Sequence, residues 1–154
     1  MIRIALYQPD IPQNTGTIMR LAACMGIELH VIGPVGFVWD EKRMRRAGMD
    51  YRDLAAVTRY PSWEGFLAAR PGGRLLLLTT KGSEPHHTFA YQPGDILLFG
   101  RESAGVPLDV HQRADARIRI PMTPEARSLN VALSAAIVLG EALRQTQSFP
   151  KEAE

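Results

Sequence analysis

The residues best suited to chemistry lie toward the carboxyl end of the chain. Leu98-Phe99-Gly100-Arg101-Glu102-Ser103-Ala104-Gly105-Val106-Pro107 is followed by Ile120-Pro121-Met122 and then by Arg127-Ser128-Leu129-Asn130-Val131. Each segment sets glycine, proline or small polar residues directly behind an apolar, strand-like run. In open α/β sheets, the loops leaving the carboxyl ends of strands bind ligands. Glycines there let backbone amides approach a ligand closely. Two such loops followed by a long apolar helix point to a small-molecule site built mostly from backbone.

Several other chemistries do not fit. Gly100 and Gly105 have the spacing of a phosphate-binding loop, but Val106-Pro107 stands where lysine and serine or threonine are required. The first strand runs into Gln8-Pro9-Asp10, so there is no glycine fingerprint for a dinucleotide. No G-x-S-x-G elbow supports serine hydrolysis. His86-His87 has no further metal ligands near it in sequence and reads as a solvated loop, so no metal site is expected. The single cysteine, Cys24, excludes an internal disulfide framework and suits a reducing cytoplasm. It reads as a small buried residue of the first helix.

The elements that must position these loops follow from periodicity. Residues 2–7 form an apolar strand, and a helix is predicted from about Thr15 to Met25, with Ile18, Leu21, Ala22 and Met25 on one face. Asn14 is placed to cap it and Gly26 to stop it. Glu28 to Ile32 is a second strand, Asp40 to Ala47 a short basic helix, and Ala56 to Tyr60 a further strand. Ser62 caps a helix through Ala69. Leu75 to Thr79 and Asp95 to Phe99 are continuous apolar runs of the kind buried parallel strands show. Arg117 to Ile120 is a shorter strand, and the last helix runs from about Ser128 to Gln145, apolar on nearly every side. The fold class is α/β, a mostly parallel sheet flanked by helices.

At 154 residues the chain fits one domain, residues 1–148, with a frayed tail over 149–154. Its 45% hydrophobic and 22% charged content is that of an ordinary globular protein. No apolar run approaches the ~20 residues of a membrane span. A net charge of +2 is too small for a histone-like binder, so nucleic-acid contact must come from local clustering. Lys42, Arg43, Arg45 and Arg46 form such a cluster, flanked by Trp39 and Tyr51, with Arg52 and Arg59 able to extend it. Basic side chains supply phosphate affinity and aromatics stack unpaired bases. The same residues also fit a solvated helix face.

Three ordered segments resemble the motifs of the SPOUT methyltransferases, in the branch that methylates ribose 2′-hydroxyls of RNA. They are Asn14-Thr15-Gly16-Thr17-Ile18-Met19-Arg20, Phe99 to Pro107, and Ile120-Pro121-Met122 with Ser128-Leu129-Asn130. A fourth, Gly36 to Tyr51, is similar to the enzymes that act on the wobble nucleotide of tRNA, cytidine or uridine 34. The resemblance runs from Ile2 to about Gln145. Arg101 and Ala104 depart from it, standing where those enzymes usually have proline and arginine.

The resemblance implies a carboxyl-terminal trefoil knot, an exception to the rule that chains do not thread loops. It implies S-adenosylmethionine as cofactor, S-adenosylhomocysteine as product, and a tRNA anticodon stem-loop as substrate. The cofactor would be held by the loop after Leu78 with Thr79, by the loop carrying Gly100, Glu102 and Gly105, and by Ile120, Pro121, Met122, Ser128 and Leu129. Arg20 is matched to the arginine assigned to the hydroxyl. Because guanidinium resists deprotonation, an electrostatic donor role suits it better than that of a base. Asn14, Glu102, Ser128 and Asn130 would complete a polar network that orients substrate, while Asn14 and Ser128 also stand where helix caps are expected. A homodimer is expected on two grounds. The last helix needs cover on every side, and the family pairs about a two-fold axis with its site assembled across the interface. Methylation of ribosomal RNA, or RNA binding without catalysis on the same fold, are the alternative functions.

Overall fold

The structure, a computed structural model, describes residues 1–46, 57–70 and 72–153, with Glu41, Arg43 and Arg45 described by backbone alone. Seven parallel strands carry it, in the order β3-β2-β1-β6-β4-β7-β5. They are β1 (Arg3–Tyr7), β2 (Leu29–Ile32), β3 (Val57–Tyr60), β4 (Leu75–Leu78), β5 (Glu84–Pro85), β6 (Ile96–Phe99) and β7 (Ala116–Arg119). The helices are α1 (Pro12–Met25), α2 (Glu41–Arg46), α3 (Trp63–Ala69), α4 (Leu108–Arg113) and α5 (Val131–Thr146). Among the described residues, no helix is long and apolar enough to cross a membrane.

Strands β4 and β6 are apolar throughout because both faces of the sheet are covered there. Side chains alternate across a strand, and the two resulting sets join different cores. Ile4, Leu6, Leu76, Leu97 and Phe99 pack on the side of α1 and α5, with Ile18, Met19, Val138 and Leu139. Ala5, Tyr7, Leu75, Leu77 and Leu98 pack on the other side, with Trp63 and Phe66 of α3 and Val110 of α4. Strand order reverses at β1, with β2 and β3 on one flank and β6, β4 and β7 on the other. All carboxyl ends share one edge, so the loops after β1, β6, β4 and β7 emerge side by side. That is the crevice where such sheets bind ligands.

Local details correct several expectations. Helix α1 begins at Pro12 with Ile11 as its N-cap, so Asn14 lies inside the first turn and is not the cap. Proline is favoured at that first position because its fixed φ suits a helix and its missing N–H is not needed there. Gly26 does end α1, at φ 65° in the left-handed region. Met19 joins Ile18 and Ala22 in the core, because α1 packs on α5 as well as on the sheet. Cys24 is exposed rather than buried. Helix α5 starts at Val131 with Asn130 as cap, leaving Ser128 in the loop before it. Strand β5 and helix α4 carry no sequence expectation. The expected ends of the basic helix at Ala47 and of the third strand at Ala56 lie outside the described residues, as do Tyr51 and Arg52.

Candidate functional site

The four loops enclose a cavity of about 460 Å³ at the carboxyl edge of the sheet. Its floor is Leu77, Leu78 and Phe99, the last residues of β4 and β6. Leu78 and Thr79 leave β4 on one wall; Gly100, Glu102 and Gly105 leave β6 on another; Ile120, Met122, Ser128 and Leu129 close the third. Asn14 and Asn130 stand at the helix starts beside them. Small-molecule clefts run to roughly 300–1,000 Å³, and this cavity has that size, its apolar floor joined by the polar side chains of Asn14, Thr79, Glu102, Ser128 and Asn130. Of the residues expected to hold a cofactor, only Pro121 is not part of the wall.

Loop geometry explains the composition of the second wall. The Arg101 and Gly105 backbones exchange N–H···O bonds of 3.0 and 2.8 Å, closing a tight turn. Gly105 sits at φ 63°. A Cβ on Gly100 would lie 2.8 Å from the Gly105 carbonyl carbon. Gly100 is therefore required by the loop's packing on itself, a different reason from the ligand approach expected from sequence. The departures at Arg101 and Ala104 also find a place. The Arg101 N–H makes a bond that proline cannot make, and the Arg101 Nε donates to the same Gly105 carbonyl at 3.0 Å. Its guanidinium lies 5.5 Å from the Tyr7 ring centroid, while Ala104 is exposed.

Arg101 and Glu102 are the charged residues among the described lining of the cavity. Burial pushes the Glu102 carboxyl above its ordinary range, and the neighbouring Asp10 carboxyl adds to the push. Asp10 is held below its ordinary range by hydrogen bonding from the Glu102 carboxyl, with the Ser103 hydroxyl assisting. The sequence does not mark Asp10 as a site residue, since Gln8-Pro9-Asp10 serves there only to exclude a dinucleotide fingerprint. Its place just behind β1, on the loop edge, is the signal the sequence carries.

Asn130 links the third wall to α1. Its Oδ1 accepts from the backbone N–H groups of Ala132 and Leu133 at 2.8 and 3.2 Å, and its Nδ2 donates to Asn14 Oδ1 at 3.0 Å. Arg20 is placed apart from this cluster. It is exposed on α1, about 9 Å further along the helix axis than Asn14, and does not line the cavity of its own chain.

The basic segment forms a separate surface. Met44 is fully buried and anchors α2, leaving Lys42 and Arg46 exposed. Beside it the Arg59 guanidinium lies 4.4 Å from the Trp39 ring centroid, and Phe37 stacks on Trp39 at 6.0 Å. His87 is exposed as expected of a solvated loop, but His86 is half-buried. No group of acids, histidines or cysteines able to hold a metal occurs among the described residues.

Comparison with known proteins agrees with this geometry. Residues 1–140 match the SpoU rRNA methylase family. A protein of Beijerinckia indica named tRNA (cytidine(34)-2′-O)-methyltransferase is 56% identical, over 96% of this chain and 94% of its own length. A solved structure concerned with the 2-OH methylation of C/U34 on tRNA superposes with a TM-score of 0.86 at 39% identity, covering 94% of this chain and 90% of its own. An AdoMet-bound rRNA methyltransferase of Sinorhizobium meliloti superposes with a TM-score of 0.82 at 30% identity, over 93% of this chain but 56% of its own.

Proposed function

The chain belongs to the SpoU rRNA methylase family, and on that premise we propose that it methylates the ribose 2′-hydroxyl of nucleotide 34 in tRNA. The observation that carries this reading is near-full-length likeness to a protein named for that reaction, joined to a cavity formed by the loops that the family motifs occupy. S-Adenosylmethionine is the methyl donor in this reading, its sulfonium supplying an already activated methyl group.

The residues present suit that donor. Leu78, Ile120 and Leu129 offer an apolar slot for an adenine ring, and the turn from Gly100 to Gly105 offers backbone groups at its rim. Asn14, Ser128 and Asn130 orient the ribose, and proximity of this kind supplies much of the rate in a transfer that needs little covalent work from protein. Arg20 acts as electrostatic donor to the developing oxyanion. Its distance from the cavity of its own chain favours action on the cavity of a second copy. A homodimer meets that need, and the outward face of α5 suits it: Leu133 and Ile137 are 57% and 43% exposed. The anticodon stem-loop is held by Lys42, Arg43, Arg45 and Arg46, with Trp39 as a stacking platform. The trefoil knot in the carboxyl-terminal part of residues 1–148 and a cytoplasmic location belong to the same reading.

Incubating purified protein with labelled S-adenosylmethionine and total RNA, then mapping the labelled nucleotide, tests the proposal. Label at the 2′-oxygen of tRNA position 34 is expected. Label confined to ribosomal RNA, or RNA binding without transfer, overturns it.

A further inference from the structure

The loop leaving β1 is fixed from several sides, and Asp10 is where the contacts meet. Gln8 turns the chain out of β1 at φ 44°, a left-handed conformation that persists in a non-glycine residue only when its surroundings over-determine it. Gly36 packs so closely that a Cβ there would stand 2.6 Å from Asp10 Cβ, and its N–H donates to the Pro9 carbonyl at 2.9 Å. From the loop after β6, the Ser103 hydroxyl donates to Asp10 Oδ2, while the Asp10 N–H donates to Glu102 Oε2 at 3.1 Å. Asp10 Oδ1 is buried without a hydrogen-bond partner among the described residues. A buried polar atom of this kind calls for an explanation, and it sits where the loop after β1 meets the loop after β6.

We propose that Asp10 is a positioning residue that acts through Glu102, latching the loop after β1 to the loop after β6 so that the Glu102 carboxyl meets the bound ligand in one orientation. The inference rests on the methyl-transfer reading of the cavity. The latch has a second consequence, because the loop it holds runs directly into α1. Asn14, in the first turn of α1, is thereby set against the cofactor side of the cavity. Nothing in the sequence motifs assigns Asp10 a part in this.

The test is a cycle of Asp10→Ala, Glu102→Ala and the double variant, with kcat and KM for both substrates and a thermal melt for each. The Asp10→Ala variant should lose about tenfold or more in kcat, since ~1 Å misplacement of a catalytic group can cost ~10²-fold, with little change in KM for RNA. The double variant should be no slower than Glu102→Ala alone, because the contribution of Asp10 runs through that carboxyl. Losses that multiply, or an unchanged kcat in Asp10→Ala, overturn the latch. If Asp10→Ala does not fold, Ser103→Ala, which removes the hydroxyl that donates to Asp10, runs the same cycle with the same expected result. A wild-type protein without methyl transfer refutes the proposed function instead, and so separates the two failures.

Discussion

Asn130 ties the two ends of the site together: its side-chain nitrogen donates to Asn14 at 3.0 Å across 116 positions of sequence, while its oxygen caps α5. One amide therefore serves both helix stability and site geometry, and the two roles separate by substitution. Asn130→Ala should lose ~0.5–2 kcal/mol of stability, the usual cost of removing a cap, together with methyl transfer. Asn14→Ala should lose transfer with a smaller stability change, because Ile11 and not Asn14 occupies the cap position of α1. Urea titrations beside transfer assays check this. Equal stability losses in the two variants would contradict the assignment of the cap.

Gly100 provides a second test. Any side chain there meets the Gly105 backbone under 3 Å away, so the loop must shift before a ligand arrives. Gly100→Val should lower the melting temperature and the affinity for S-adenosylmethionine together. Gly72→Ala, whose Cβ enters open space, should do neither. Calorimetry showing full affinity in the Gly100 variant would remove this loop from the cofactor site.

Much of this architecture is legible in the sequence, for identifiable reasons. The strands Leu75–Leu78 and Ile96–Phe99 stand out because covering both faces of a parallel sheet makes every position apolar. The left-handed glycine after Met25 and the Ser62 cap, which accepts from the Gly65 N–H at 3.0 Å, are local signals and are found where expected. What escapes is short or long-range. Strand β5 has two residues and α4 six, too few to show a period. The start of α1 escapes because Ile11 caps without a side-chain bond. Asn130 replaces Ser128 as the cap of α5, a choice between two good capping residues that only backbone geometry resolves. The Asp10–Glu102 contact spans 92 positions and leaves no local trace.

His30 makes stability depend on pH. Its ring is buried between Tyr60 and Phe66, with Nδ1 2.8 Å from the Tyr60 hydroxyl. Burial lowers its pKa, against a smaller opposing pull from Glu28. A group with a depressed folded pKa favours the native state while neutral, so its contribution is full above the unfolded value of about 6.5 and is lost as pH falls below it. Half-buried His86 shifts the same way. The urea midpoint should therefore drop between pH 7.5 and 5.5, and His30→Gln should show a smaller drop than wild type. An equal drop in both proteins would assign the effect elsewhere.

Arg20→Ala should reduce methyl transfer by ~10²–10³, the cost of losing one well-placed electrostatic donor, with fold and cofactor affinity retained. Arg20 is exposed on α1, so a thermal melt beside the transfer assay separates loss of chemistry from loss of fold. Mixing Arg20→Ala with Asn130→Ala protein should restore part of the activity if each arginine serves the other subunit's cavity, since the mixed dimer then has one intact site. Near-normal turnover of Arg20→Ala alone removes the residue from the mechanism, and absence of recovery in the mixture places its action within one chain.

The outward face of α5 carries the last prediction. Ala135, Val138, Leu139 and Ala142 are buried against the chain's own core, whereas Leu133 and Ile137 are exposed one turn apart. Successive exposed apolar residues on one helix face of a folded chain suit burial by a second copy. Because Ile137 is 43% exposed in the single chain, Ile137→Glu should leave the subunit folded while disrupting association. Fully burying an isoleucine is worth roughly 1.5–3 kcal/mol, and a charge in its place adds the cost of desolvation. Two copies meeting about a two-fold axis feel both effects twice. The variant should sediment as a folded monomer with little methyl transfer, because the Arg20 of one subunit no longer reaches the cavity of the other. A wild-type protein that sediments at micromolar concentration as an active monomer would end the dimer hypothesis, and with it the shared site.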